Sequence, residues 1–189
     1  SGAVLAEDGE TSVTVSISVV PEGGPSPFTR TGPGYSLQTQ KPAIKPDFVH
    51  FGGNYALQTL AGTNERWNKI SYLLGEPTTI LEDSGRFLGT AKGTSIAAPH
   101  ISHIAAVSAS AAEDLIGEKP SANLTRALLG STAACPSCEA DWFEDEDEML
   151  SLVGYGRCYK DEVQYSAPNR VHVIASDEIE LDQLHVYKI

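Results

Sequence analysis

The chain has 189 residues, 41% hydrophobic and 20% charged, which suits one domain with its own core and excludes a wholly disordered chain. No stretch approaches about 18 consecutive apolar residues, so no membrane-spanning helix is expected, and the opening SGAVLAEDGE lacks the basic-then-apolar pattern of a signal peptide. Thirteen Lys and Arg face 25 Asp and Glu, a net charge of −12, which argues against a nucleic-acid-binding surface.

Residues 11–20, TSVTVSISVV, alternate apolar with Ser and Thr, which predicts a strand. Residues 21–34 are dense in Pro and Gly and predict loop and turn. A short apolar strand is expected at 48–51, entered through Lys45-Pro46-Asp47 and left through Gly52-Gly53. Residues 64–81 support two readings: Trp67, Ile70 and Leu74 fit a helix, whereas 78–81 fit a strand. A long helix begins at Thr94 and runs to about Leu115, with Ala97, Ile101, Ile104, Ala105, Ser108 and Ala112 on one stripe. Its small residues would let the axis lie close to a sheet, and Pro99 falls near the first turn, where a missing N–H does least harm. Ser121 is expected to cap a second helix carrying Leu124, Ala127 and Leu128.

Residues 139–148 hold seven acids and no base, and without them 13 bases face 18 acids. The acidity is therefore local and reads as a solvated loop, with a calcium site as the functional alternative. Residues 152–156, LVGYG, form a tight glycine-punctuated segment. Two strands are expected in the tail, at 170–176 and 181–189, around an acidic turn at Asp177 and Glu178. The final run stays apolar to Ile189, which suggests that the natural chain continues.

The segment richest in chemistry is Gly93-Thr94-Ser95-Ile96-Ala97-Ala98-Pro99-His100. A serine in the first turn of a helix projects from its end, and its own N–H is unclaimed by the helix. The helix dipole favours negative charge there. Those are the needs of a nucleophile whose reaction builds an oxyanion. Gly93 lets a substrate backbone come close. The other reading is that Ser95 simply caps the helix.

This string closely resembles the serine motif of the subtilisin-like serine peptidases, the subtilases. Phe28-Thr29-Arg30-Thr31-Gly32-Pro33 resembles the family's F-S-S-x-G-P turn, and Lys45-Pro46-Asp47-Phe48-Val49 with Gly52-Gly53 resembles its K-P-D-[IV]-V-A-P-G strand. Residues 124–133 and Gly154-Tyr155-Gly156 resemble its closing helix and Y-G-x-G segment. The landmarks keep their order over roughly residues 11–160. The resemblance implies an α/β fold: a subtilisin-like three-layer sandwich with a mostly parallel central sheet. Residues 1–160 would be its C-terminal portion and 161–189 the start of a β-rich extension. It implies peptide-bond hydrolysis with Ser95 as nucleophile, framed by Gly93 and Thr94, and gives His100 a structural place on the helix. The substrate would be a protein or peptide, with no nucleic acid or membrane partner and no organic cofactor. The tail also resembles long bacterial subtilases, some of which work with an AAA+ ATPase, so such a partner is an expectation.

A subtilase triad runs Asp, His, Ser along the chain. The aspartate motif D-[ST]-G and the histidine motif H-G-x-H are absent, and residues 1–10 hold no asparagine for the oxyanion hole. These parts are expected upstream of Ser1. In subtilisins, loss of the histidine alone costs about 2 × 10⁶ in kcat, so the isolated chain is expected to be silent. A non-catalytic module on the same scaffold is the alternative.

Other histidines are weaker candidates for a base. His103 lies eight residues beyond Ser95, about two helical turns, and His172 and His185 sit in the tail. His50 stands where the family has a small apolar residue and warrants a direct check. Cys135 and Cys138 have C-x-x-C spacing, with Cys158 as a third thiol. Unlinked thiols, half a zinc site and a redox pair all remain open, and three cysteines favour a reducing, cytoplasmic compartment over a secreted disulfide scaffold.

Overall fold

The computed structural model describes residues 3–6, 13–30, 44–60, 63–68, 74–79, 85, 87–135, 143–165, 172–174, 179–184 and 186. Strands β1 (Ala3–Ala6), β2 (Val13–Ser18), β3 (Ala56–Leu60) and β4 (Thr63–Asn68) form one sheet in that order. Every neighbouring pair is antiparallel, with Val15 opposite Val4 on one side and Thr59 on the other. The strand expected at 11–20 is therefore β2. Strands β5 (Glu76–Thr79) and β6 (Leu88–Ala91) form a second antiparallel pair.

Among the described residues no sheet is parallel, so the mostly parallel central sheet is not what these strands build. Parallel neighbours need long crossovers, whereas β3 and β4 are separated by two residues and can only fold back. Among the described residues the single parallel pairing is a bridge between Val49 and Arg157. That bridge is what the structure has in place of the strand expected at 48–51. Its partner segment contains Gly154 at φ 59° and Gly156 at φ 103°, and such backbone cannot extend a ladder. The helical reading around Trp67 is also corrected. Trp67 lies in β4 opposite Leu57, because pairing with β3 outweighs a weak helical spacing. Ile70 lies outside the described residues.

Helix α1 (Thr94–Ile116) matches the expected long helix. Ile104, Ser108 and Ala112 are its buried positions, four residues apart along one face. That face meets α2 (Ala122–Thr132) and α4 (Lys160–Gln164) rather than a sheet. Ile104, Leu129 and Cys158 form the core, with Phe48, Ile101 and Val163 packed around them. Leu129, absent from the predicted stripe of α2, is its buried anchor, and Ala127 is exposed. Pro99 stands in the second turn of α1, not the first, and so removes the N–H that would donate to the Ser95 carbonyl.

The acidic run is not wholly a loop. Helix α3 (Glu146–Val153) starts inside it, capped by Asp145, whose Oδ1 accepts from Glu148 N at 2.8 Å. Glu148 reaches back to accept from Glu144 N at 2.6 Å, so the acids satisfy two backbone donors at the positive end of the helix. Residues 136–142, with Cys138, lie outside the described residues. Gly154 then ends α3, where a side chain would collide with the carbonyl oxygens of Pro46 and Asp47.

The tail departs from its expected strands. Residues 172–174 and 179–184 contain no strand, and 180–183 close a turn through Gln183 N to Glu180 O at 3.2 Å. No neighbouring strand pairs with them among the described residues, and a strand without a partner is not stable. Residues 175–178, 185 and 187–189 lie outside the described residues.

Candidate active site at the mouth of helix α1

Gly93 is the N-cap of α1, at φ 139° and ψ 168°, a backbone conformation that a side chain would strain. Its carbonyl accepts from Ile96 N at 2.9 Å, and its own N–H donates to Gly52 O at 2.8 Å. This cross-link ties the helix mouth to the Gly52-Gly53 segment. A Cβ on Gly52 would stand 2.7 Å from the Gly93 carbonyl oxygen, so only glycine permits that approach. Next to it, Asn54 donates through Nδ2 to Val20 O at 2.5 Å, and Ser26 Oγ donates to Gly53 O at 2.5 Å. The loop at 20–30 is thereby pinned to the same segment.

Ser95 is the second residue of α1 and is exposed, as is Thr94. No side chain caps this helix, so the capping reading of Ser95 is not the one the structure adopts. Among the described residues the Ser95 hydroxyl has no hydrogen-bond partner. Its N–H and that of Thr94 have no backbone acceptor among those residues either, as expected of a first turn. Gly93, Thr94 and Ser95 therefore stand together as a surface hydroxyl beside unclaimed N–H donors at the positive end of a 23-residue helix.

A groove of about 860 Å³ runs beside the mouth, bordered by Gly52, Gly93, Thr94 and Ala97 and closed by the 20–30 loop. Ser95 lies at its rim rather than on its walls. Lys92, one residue before the cap, is held below its usual pKa by burial, and its Nζ has no partner among the described residues. Asp47 also lines the groove. Burial alone would raise its pKa, but hydrogen bonding and charge from Lys45 and Arg126 outweigh this and hold the carboxyl below the usual value.

The histidines do not gather around Ser95. His50 stacks on His100, with ring centroids 4.5 Å apart and planes 14° apart. Burial, then His100, then Arg157 push the His50 pKa down to about 4. His103 is exposed on α1, and His172 Nε2 is buried without a partner among the described residues. His185 lies outside the described residues. Arg157, which sequence reasoning passed over, sits with its guanidinium 3.9 Å from the centre of the Phe51 ring. Nothing in its local sequence marks it, because its neighbours come from distant segments.

Among the described residues, Cys135 and Cys158 form no ligand set, and Cys138 lies outside them. Cys158 is fully buried, its Sγ lies 3.7 Å from Leu129 O, and burial pushes its thiol up to about 11. Cys135 is exposed, with Sγ 3.5 Å from Met149 Sδ. Among the described residues no group of three or more His, Cys, Asp or Glu is placed to hold a metal, and no helix is long and apolar enough to cross a membrane.

No curated protein and no solved structure matches the chain significantly. The model of the subtilase family, a family of serine peptidases with an α/β fold, matches residues 4–171, most of the chain. With the serine at the mouth of α1 and the glycine contact beneath it, this match establishes that the chain belongs to the subtilase family.

Proposed function

We propose that this chain supplies the nucleophile and part of the oxyanion hole of a subtilase-type serine endopeptidase. The observation that carries the reading is the Ser95 hydroxyl: exposed in the first turn of α1 and not spent on capping it. In this scheme Ser95 Oγ attacks the scissile carbonyl of a peptide lying along the groove. The proton passes to a histidine on a segment preceding Ser1, oriented by an aspartate on that same segment. The Ser95 N–H donates to the oxyanion, an upstream asparagine supplies a second donor, and Gly93 and Thr94 shape the approach. The histidine returns its proton to the leaving amine, and water then releases the acyl group by the same steps in reverse.

Residues 1–160 would then belong to the C-terminal portion of a three-layer peptidase domain, and an extension would begin after α4, whose Val163 packs on the core. The substrate is a protein or peptide, no organic cofactor takes part, and an AAA+ ATPase is a candidate partner in the cytoplasm. The stacking of His50 on His100 supports placing the base elsewhere. Burial of Cys158 as a protonated thiol speaks against that thiol as a third metal ligand.

The test joins the chain to the segment that precedes Ser1 in its own gene and measures peptide hydrolysis. The joined protein should cleave, and Ser95→Ala should lower kcat by about 10⁶. The 189-residue chain alone should be silent. A joined protein carrying D-[ST]-G and H-G-x-H that does not cleave, or cleavage that survives Ser95→Ala, overturns the assignment in favour of a non-catalytic module.

A further inference from the structure

On the flank of α1, more than one turn beyond Ser95, lies a separate cavity of about 260 Å³. His50, His100, His103, Arg157 and Lys160 line it, and no carboxylate does. Two of these residues carry buried polar atoms with no partner among the described residues, His50 Nδ1 and Arg157 Nε. In a chain of net charge −12, this one small cavity gathers an arginine, a lysine and three imidazoles, a lining that favours an anion. From this arrangement we propose that the cavity binds a small tetrahedral oxoanion, inorganic phosphate or the terminal group of a phosphomonoester.

The pocket is built in advance of its ligand. Arg157 is clamped by its backbone between two segments. Its N–H donates to Ala134 O at 2.8 Å, its carbonyl accepts from Ala134 N at 3.0 Å, and it bridges Val49 on the other side. Its guanidinium is held between the Phe51 ring at 3.9 Å and the Tyr159 ring at 4.8 Å, which orients a planar donor fork. The stacked His50 and His100 rings form the facing wall. The volume is below the roughly 300–1,000 Å³ of pockets that take drug-sized ligands, and suits a small ion with its water.

Every neighbouring titratable group is consistent with this. Glu76 of β5 lies 3.9 Å from His100 Nε2, and Asp161 and Glu162 follow Lys160 on α4, but none of the three lines the cavity. The Cys158 thiol remains protonated because burial raises it to about 11. The low pKa of His50 arises from burial and from His100 and Arg157, so an anion among them must raise it.

The test is a titration of the 189-residue chain with inorganic phosphate at about pH 6.5, following the imidazole carbon–proton signals by NMR. Saturable shifts at His50 and His100 are expected, with the His50 pKa moving upward. Lys160→Gln and Arg157→Gln should each weaken binding about tenfold, the worth of one charge-assisted bond. Because Arg157 also packs, Lys160→Gln, whose side chain is exposed, separates lost binding from lost folding. Glycerol phosphate that competes identifies a monoester site, and competition by inorganic phosphate alone identifies a free-ion site. Absence of saturation, equal shifts from chloride at matched ionic strength, or unchanged affinity in a folded Lys160→Gln variant overturns the proposal.

Discussion

Helices α1 and α2 both begin beside a serine, and they use it in opposite ways. At α2, Ser121 is the N-cap and its Oγ accepts from Leu124 N at 3.1 Å. At α1, the cap is Gly93 and Ser95 sits two residues inside with its hydroxyl exposed. The first serine is spent on the backbone and is structural. The second is left available because Gly93 and Gly52 hold the mouth of α1 through main-chain contact, without any side chain. A reactive group at a helix end thus depends on another element taking over the anchoring.

That contrast can be broken from the core outward. Ile104→Ala removes a side chain packed against Leu129 and Cys158 beneath both helices, and should cost about 2–5 kcal/mol in denaturant unfolding. Gly52→Ala acts at the mouth alone. It should cost about 1–3 kcal/mol, and hydrogen exchange at the Ile96 and Ala97 amides should accelerate more than at Ile104. Equal acceleration along the whole of α1 would show that the mouth has no independent anchor. Ser121→Ala should cost about 1 kcal/mol, as for other lost caps.

Acid should separate the two helices next. His50 is neutral in the fold down to about pH 4, whereas an unperturbed histidine titrates at 6.5. Through that window the unfolded chain takes up a proton that the folded chain does not, so stability falls as pH drops from 6.5 towards 4. The effect is modest because the ring is partly exposed. A His50→Gln variant should flatten the pH–stability curve there, and a curve unchanged by that substitution would rule His50 out as its source. The smallest effect belongs to Ser95→Ala. It should shift stability by no more than about 0.5 kcal/mol, because the hydroxyl has no hydrogen-bond partner among the described residues. A loss as large as that of Ser121→Ala would mean that Ser95 is a cap after all.

The candidate site was largely legible in the sequence. A glycine, a serine and a run of small residues are local features, and local features set where a helix starts and which face it buries. The start of α1 at Thr94 and the cap at Ser121 both follow from neighbours within four residues. The side-chain cap of α3 was legible too, since Asp145 precedes its first turn, but the density of acids concealed it. Trp67 and the 48–51 segment were misjudged because a strand depends on its partner. Trp67 found one in Leu57, whereas Val49 found only a glycine-interrupted segment around Arg157.

The sequence by itself determined the family, the helix that carries Ser95 and the glycine that precedes it, because motif and helical period both lie within a few residues. Only the tertiary structure decided that Ser95 is not a cap, that Gly52 must be a glycine, and that His50, His100 and Arg157 share one pocket. Those facts are meetings of residues 41 to 107 positions apart, and no local pattern encodes which distant side chain will fill the space beside a given one.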